Sequence, residues 1–262
     1  MNNSYEISIV IPAYNESARL GRSLDRVLSF VRQQGWDAEV IVVDDGSRDA
    51  TADLVREYTR TNPIVRLVQN PGNRGKGYSV RSGMLSAQGS IILFTDADLS
   101  SPIEEAPKLL EALKAGADIA IGSRWLRSEL QTQRQSMARQ VLGRVYNMLL
   151  RTLLGLRFKD TQCGFKAFRR SAAKALFPLQ KIEGWGFDPE ILFLAGRMGF
   201  EVAEVPVVWA HDEGTLINPV ADGSKMVLEM ARIRWFALTG KYGITPVIAS
   251  SGVLAPGPRP RA

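Results

Sequence analysis

Ile7-Ser8-Ile9-Val10-Ile11-Pro12-Ala13-Tyr14-Asn15-Glu16 decides the reading of the fold. The apolar run Ile7–Ile11 predicts a buried strand ended by Pro12, and a polar cluster follows at once. β-Branched side chains suit a pleated surface, and a short apolar run belongs to a strand covered on both faces. The unit then repeats along the chain. Ala18–Gln34 sets Leu20, Leu24, Val27, Leu28 and Val31 on one helical stripe, and Gly35 stops it. Val40–Val43 and Ile64–Val68 predict the second and third strands, with a helix over Asp49–Arg60 between them. The glycine-rich Pro71–Gly77 leads into a helix near Tyr78–Ala87, and Ile91–Thr95 is a fourth strand. A helix over Ile103–Ala115, entered through Ser100-Ser101-Pro102, precedes a fifth strand at Asp118–Ile121. Strand and helix in alternation give an α/β fold, a mostly parallel sheet flanked by helices.

Beyond Gly122 the pattern loosens. Arg134–Leu156 predicts a long amphipathic helix, Pro189–Met198 a shorter one, Val202–Val208 a strand and Lys225–Leu238 a last helix. Residues 1–240 are expected to form one catalytic domain and 241–262 a tail, disordered over Ala255–Ala262, which is rich in Pro and Gly.

Composition excludes several classes. The 262 residues are 45% hydrophobic and 23% charged, enough for a real core. A single cysteine, Cys163, and a single histidine, His211, exclude a disulfide framework and a Cys/His zinc site. A Ser-His-Asp triad could use only His211, and no G-x-S-x-G accompanies it. Neither a dinucleotide fingerprint nor a P-loop occurs at its diagnostic position. No leader-like segment opens the chain and no apolar run reaches about 18 residues, so a cytoplasmic location is expected.

The net charge of +6 is uneven. Arg124–Arg170 holds eleven basic residues against two acids, Glu129 and Asp160, a local +9 that leaves −3 elsewhere. Such a block is either a solvated basic face or a site for an anionic partner. Interleaved aromatic and basic residues are missing, so nucleic acid is not expected.

Acids follow three strands: Glu16 after the first, Asp44-Asp45-Gly46-Ser47 after the second, Asp96-Ala97-Asp98 after the fourth. Each cluster could cap a helix, but three on one sheet edge repel unless a cation or a hydroxyl-rich ligand answers them. Asp96 and Asp98 can hold Mg²⁺ or Mn²⁺ together with substrate phosphates, while Asp44 and Asp45 suit ribose hydroxyls or a base edge. Gly72-Asn73-Arg74-Gly75-Lys76-Gly77 is either a phosphate cradle or a flexible turn.

These residues carry a resemblance. PAYNE at Pro12–Glu16, VVDDGS at Val42–Ser47, NRGKG at Asn73–Gly77, the DAD triplet, GSR at Gly122–Arg124 and DTQCGFKAF at Asp160–Phe168 resemble inverting family-2 glycosyltransferases of the GT-A fold. The last of these, with GWGFDPE at Gly184–Glu190 and GSK at Gly223–Lys225, is similar to the dolichyl-phosphate glucosyltransferase and mannosyltransferase branch. The resemblance spans roughly 5–240. It implies a nucleotide-sugar half over about 5–122 and an acceptor half over about 123–240.

By that resemblance Pro12, Tyr14 and Glu16 border the nucleoside and Asp44, with Asp45 beside it, meets the base or ribose. Lys76, Asp96, Ala97 and Asp98 line the donor diphosphate, with the metal on Asp96 and Asp98. Arg124 faces the phosphates, and Lys225, on a loop before the last helix, neutralises the leaving diphosphate. The implied donor is UDP-glucose or GDP-mannose and the acceptor a polyprenyl phosphate, met at the inner membrane face by a peripherally bound protein. Two departures stand out: relatives often carry membrane-spanning helices, and Leu99-Ser100-Ser101-Pro102 differs from familiar eukaryotic sequences, which leaves the sugar open.

The chemistry bears on the acceptor. A lipid phosphate, with a second pKa of about 6, is already ionised and nucleophilic at neutral pH, and needs cations such as Arg124, Arg139 and Arg144 to position it. A sugar hydroxyl would instead need a base, for which Asp188 is the candidate, its other reading being a helix N-cap before Pro189. Catalysis is thus assigned to Asp98, Arg124 and, for a hydroxyl acceptor, Asp188. A binding module without catalysis is the third reading, and the intact Asp96/Asp98 pair opposes it. Arg134–Leu156 is expected either to lie on anionic lipid or to pack on the core, and the last helix carries the same two readings. His211 has either a structural role or a place at the metal or diphosphate, and Cys163 is expected to be a small buried residue.

Overall fold

A computed structural model describes residues 5–127, 148–210 and 219–244, with backbone alone for 219–224. Four strands, β1 (Ile7–Ala13), β2 (Ala38–Asp44), β3 (Val65–Gln69) and β4 (Ile91–Thr95), run parallel and alternate with α1 (Leu20–Gln34), α2 (Thr51–Thr61) and α3 (Lys76–Ser86). A 3₁₀ turn at Ile103–Glu105 and α4 (Ala106–Lys114) then lead to β5 (Ile119–Ser123). Residues 148–154 are helical (α5) and are followed by β6 (Phe165–Arg169), α6 (Arg170–Leu176), α7 (Phe187–Met198), β7 (Val202–Pro206) and α8 (Pro219–Leu238). The strands form one sheet in the order β3-β2-β1-β4-β6-β5-β7, in which β6 alone is antiparallel to its neighbours.

Alternate residues of each strand feed two cores. Ile7, Ile9, Ile11, Val40, Val42 and Leu93 face α1, α2 and α4. Val10, Ile41, Val43, Ile92 and Phe94 face α3, α6 and α7, with Met230 and Ile233 of α8. α1 ends as its sequence requires: Gly35 takes a left-handed φ of 62° and turns its N–H back to the carbonyls of Val31 and Arg32.

Ser8 interrupts the apolar run at the opposite end of the sheet from the acidic loops. Its Oγ donates to Glu39 Oε1 (2.6 Å) and accepts from Gly89 N (2.7 Å). Glu39 is fully buried and is further engaged by Gln88 N (2.7 Å) and Arg66. A buried carboxylate is tolerable only when its lone pairs are met in this way.

Several sequence expectations need correction. β1 does not end at Pro12 but continues to Ala13; its ladder to β4 stops at Val10–Phe94, so the missing proline N–H falls outside that pairing. β6 and α6 were not expected. Phe165-Lys166-Ala167-Phe168-Arg169 sits in the basic block, and its place between two strands rests on pairing with distant residues of β4 and β5. Tyr242, assigned to the tail, is buried and donates its hydroxyl to Glu190 Oε1 (2.7 Å), so the packed chain runs past 240. Most of Arg134–Leu156 and the whole of Ala255–Ala262 lie outside the described residues. Within 148–154, Leu150 and Leu154 are buried whereas Met148, Leu149 and Leu153 are exposed. Among the described residues, no helix is long and apolar enough to cross a membrane.

Candidate active site

β2 and β3 lie on one side of β1 and β4 on the other, so the order of the chain reverses beside β1. Open parallel sheets bind ligands at the carboxyl ends of the strands at such a reversal. The loops leaving β1 and β2 are knitted together there. Asn15, held at φ 54°, donates its N–H to Ser47 Oγ (2.9 Å) and accepts from Arg48 N (2.8 Å). Glu16 N donates to Thr51 Oγ1 (2.8 Å) and Ser17 N to Asp49 Oδ2 (3.1 Å). Pro12 is buried and Tyr14 half-buried, while the Glu16 carboxylate is engaged by Arg19 Nη2 (2.7 Å).

The two β2 aspartates separate. Asp44 accepts from Ser47 N (3.1 Å) and Gln69 Nε2 (3.3 Å). Asp45 turns to the glycine-rich loop and accepts from Asn70 Nδ2 (2.7 Å), Arg74 N (3.2 Å) and Gly75 N (2.7 Å). Its work in this structure is to fold that loop over the sheet edge.

Lys76, the first residue of α3, is thereby brought to β4, with its Nζ 2.6 Å from Asp96 Oδ1. Burial opposes the lysine charge, but Asp96 and Asp188 outweigh it and hold the ammonium above its ordinary pKa. Ala97 is buried, and Asp98 Oδ1 accepts from Ser100 N (2.9 Å) in the turn made by Leu99 at φ 49°. Burial and the adjacent Asp96 charge push the Asp98 carboxyl above its ordinary value. Gly164 passes so close that a Cβ there would overlap the Asp96 carboxylate.

Arg124, after β5, grips the buried Asp160 with Nε (2.7 Å), Nη2 (2.9 Å) and its backbone N–H (3.0 Å). Burial works against the Asp160 carboxylate, yet Arg124 keeps it below its ordinary value, and the Arg124 charge also interacts with Asp96. Beneath them burial raises the Cys163 thiol to about 11, as a small inert core residue requires.

Asp188 is not an N-cap. Gly186 occupies that position, Asp188 is the second residue of α7, and its carboxylate lies 2.6 Å from Lys166 Nζ. Lys166 is 2% exposed and also donates to Cys163 O (2.6 Å). Burial raises the Asp188 carboxyl even against the charges of Lys166 and Lys76. Lys225 lies within α8 rather than before it, exposed, where its charge acts on Glu229. Arg139, Arg144 and His211 lie outside the described residues.

Sequence reasoning gave no role to Asp160, Lys166 or Trp185. Asp160 was detectable as one of two acids in the basic block, and Lys166 as a cation inside an aromatic run. Trp185 lies in the quoted GWGFDPE motif without a role of its own; its ring centroid lies 4.9 Å from Lys76 Nζ, on a loop held by Gly186 N donating to Glu229 Oε2 (2.7 Å). Among the described residues no three His, Cys, Asp or Glu side chains converge on a metal position. Asp96 and Asp98 together fit the few-carboxylate type of Mg²⁺ or Mn²⁺ site, which substrate phosphates complete.

The family model described as Glycosyl transferase family 2 matches residues 8–177. A dolichyl-phosphate beta-glucosyltransferase of Dictyostelium discoideum is 35% identical over 93% of this chain and 78% of its own length. The enzyme of that description from Saccharomyces cerevisiae is 36% identical over 90% and 76%, and that from Homo sapiens 34% over 90% and 77%. Among solved structures, glucosyl-3-phosphoglycerate synthase from Mycobacterium tuberculosis with Mn²⁺, UDP and glucosyl-3-phosphoglycerate superposes with a TM-score of 0.63 at 22% identity. That match covers 93% of this chain and 82% of the other, and it establishes a shared fold.

Proposed function

We propose that this chain, which belongs to glycosyl transferase family 2 and is a hexosyltransferase, moves glucose from UDP-glucose to a polyprenyl phosphate by a single in-line displacement. The observation that carries the reading is the charge cluster at the end of β4. Asp96 and Asp98 stand beside Lys76, with Arg124 within electrostatic reach of Asp96. Two carboxylates with two cations at a strand end suit a diphosphate and its metal. Glucose and UDP, rather than mannose and GDP, are taken from the dolichyl-phosphate glucosyltransferase relatives and the UDP-bound structural neighbour.

A divalent cation held by Asp96 and Asp98 would supply charge stabilisation to the departing diphosphate. The protein's own residues do the rest. Asp44 takes the nucleoside side, Lys76 meets the diphosphate, and Arg124, fixed in place by Asp160, meets phosphate oxygens at the centre of the site. Arg139 and Arg144 are proposed to guide the acceptor phosphate.

What supports a phosphate acceptor over a hydroxyl one is the state of Asp188. Its carboxylate is buried and paired with Lys166, so it is poorly placed to take a proton from an incoming sugar. An ionised phosphate needs no such base. The exposed apolar side chains Leu228, Trp235 and Leu238 on α8 and Met148, Leu149 and Leu153 on α5 support peripheral contact with the cytoplasmic membrane face.

The test is transfer of label from UDP-glucose or GDP-mannose, in separate reactions with Mg²⁺ or Mn²⁺ and a short polyprenyl phosphate, into the organic phase. Label is expected from UDP-glucose alone, and EDTA should abolish it. Label from GDP-mannose would overturn the sugar, and transfer only to a soluble acceptor would overturn the lipid.

A further inference from the structure

Lys76 is anchored by its backbone, and its long side chain is only partly exposed. Gly75 N is held by Asp45 Oδ2 (2.7 Å), and a Cβ at Gly75 or Gly77 would stand 2.6 or 2.7 Å from the carbonyl oxygen of Glu183 or Ile182. Only glycine therefore lets the loop pack this closely at both positions. The long lysine side chain reaches from this anchor past Trp185 and Phe94, whose ring centroids lie 4.9 and 5.6 Å from Nζ, to Asp96 Oδ1 at 2.6 Å. Asp188 and Asp98 also act on its charge. Asp188, already paired with Lys166, is thus a second anion whose charge the ammonium feels.

The carboxylate that the proposed function assigns to a divalent cation is thus already answered by a lysine. A dication on Asp96 must displace that ammonium or bind against its repulsion. A nucleotide diphosphate changes the sign of the problem, because its negative oxygens can hold the dication and the ammonium at once. From this geometry we infer that Lys76 keeps the place of the divalent cation on Asp96 while the donor site is empty, and passes to the diphosphate when metal and nucleotide arrive together. The inference rests on the reading of Asp96 and Asp98 as the metal carboxylates. Lys76 thereby makes metal and nucleotide mutually dependent ligands, since a coupling between two binding events is reciprocal.

Mn²⁺ binding followed by electron paramagnetic resonance, with and without UDP, tests this without any turnover. For wild type, Mn²⁺ alone should bind weakly and UDP should tighten it strongly. K76M should bind Mn²⁺ alone more tightly than wild type, on the order of tenfold, and should lose most of the tightening by UDP. K76R, which keeps the charge, should stay close to wild type without UDP. Equal affinity of wild type and K76M for Mn²⁺ alone would overturn the exchange and leave the metal reading standing. Mn²⁺ binding unchanged in D98N would remove the metal reading, and the exchange with it.

Discussion

The two halves of the molecule spend their side chains differently. In residues 5–127 every strand is lined by apolar side chains, and no large hydrophobic one is left exposed. Beyond residue 147 the large hydrophobic side chains left exposed are Met148, Leu149, Leu153, Trp185, Val227, Leu228, Trp235 and Leu238. Both halves bury charge: Glu39 is met by Ser8 and Arg66 in the first, Lys166 and Asp188 pair inside the second, and Asp160 of the second is held by Arg124 of the first. On the proposed function the first half would meet the nucleotide sugar with its polar strand ends, and the second would meet the apolar acceptor with the side chains it leaves uncovered.

That contrast can be broken most decisively at β4. Asp98→Ala should lower transfer by about 10³-fold or more, while thermal unfolding stays close to wild type. Comparable residual transfer would detach the first half from the chemistry. Next comes the buried pair that joins the two halves. Asp160→Ala leaves Arg124 without its carboxylate and should cost about 3 kcal/mol in denaturant unfolding, because removing one partner of a buried pair strands the other. A loss below about 1 kcal/mol would mean that Arg124 finds solvent or another partner.

The outer face of α8 gives a smaller and more selective effect. Leu228, Trp235 and Leu238 changed together to Gln should weaken binding to anionic vesicles by roughly tenfold or more, since a fully buried Leu side chain is worth about 1.5–3 kcal/mol. UDP affinity and stability should not move beyond about 0.5 kcal/mol. Unchanged flotation would show that this surface meets something other than lipid. The smallest effect concerns acid stability in the first half. Burial opposes the Asp49 carboxylate, but the hydrogen bonds from Thr51 and Ser17 together outweigh it and hold it at about 2. Its folded pKa lies below the ordinary value, so its contribution is present above about pH 4 and is lost as pH falls toward 2. Asp49→Asn should flatten stability against pH in that window alone, read by thermal unfolding.

Legibility followed the range of the interactions. Ile91–Thr95 forms a strand over the expected residues, and α1 stops at Gly35, because apolar period and a left-handed cap are written in adjacent residues. α8 shows the limit. Met230 and Ile233 are buried while Leu228, Trp235 and Leu238 are exposed, so one face of the helix packs on the core and the other is left uncovered. Periodicity finds such a helix without saying which side the core will take.

The sequence by itself determined the strand–helix alternation, the acids after β1, β2 and β4, and the basic block, because each rests on residue types at short spacing. Only the tertiary structure decided which acid each cation meets. Lys166 pairs with Asp188 across 22 positions, Arg124 with Asp160 across 36, and β6 enters the sheet between β4 and β5 against the direction of both. A charge read singly can serve solvent, ligand or partner alike. Burial removes the solvent, and the packing of distant strands then fixes the partner.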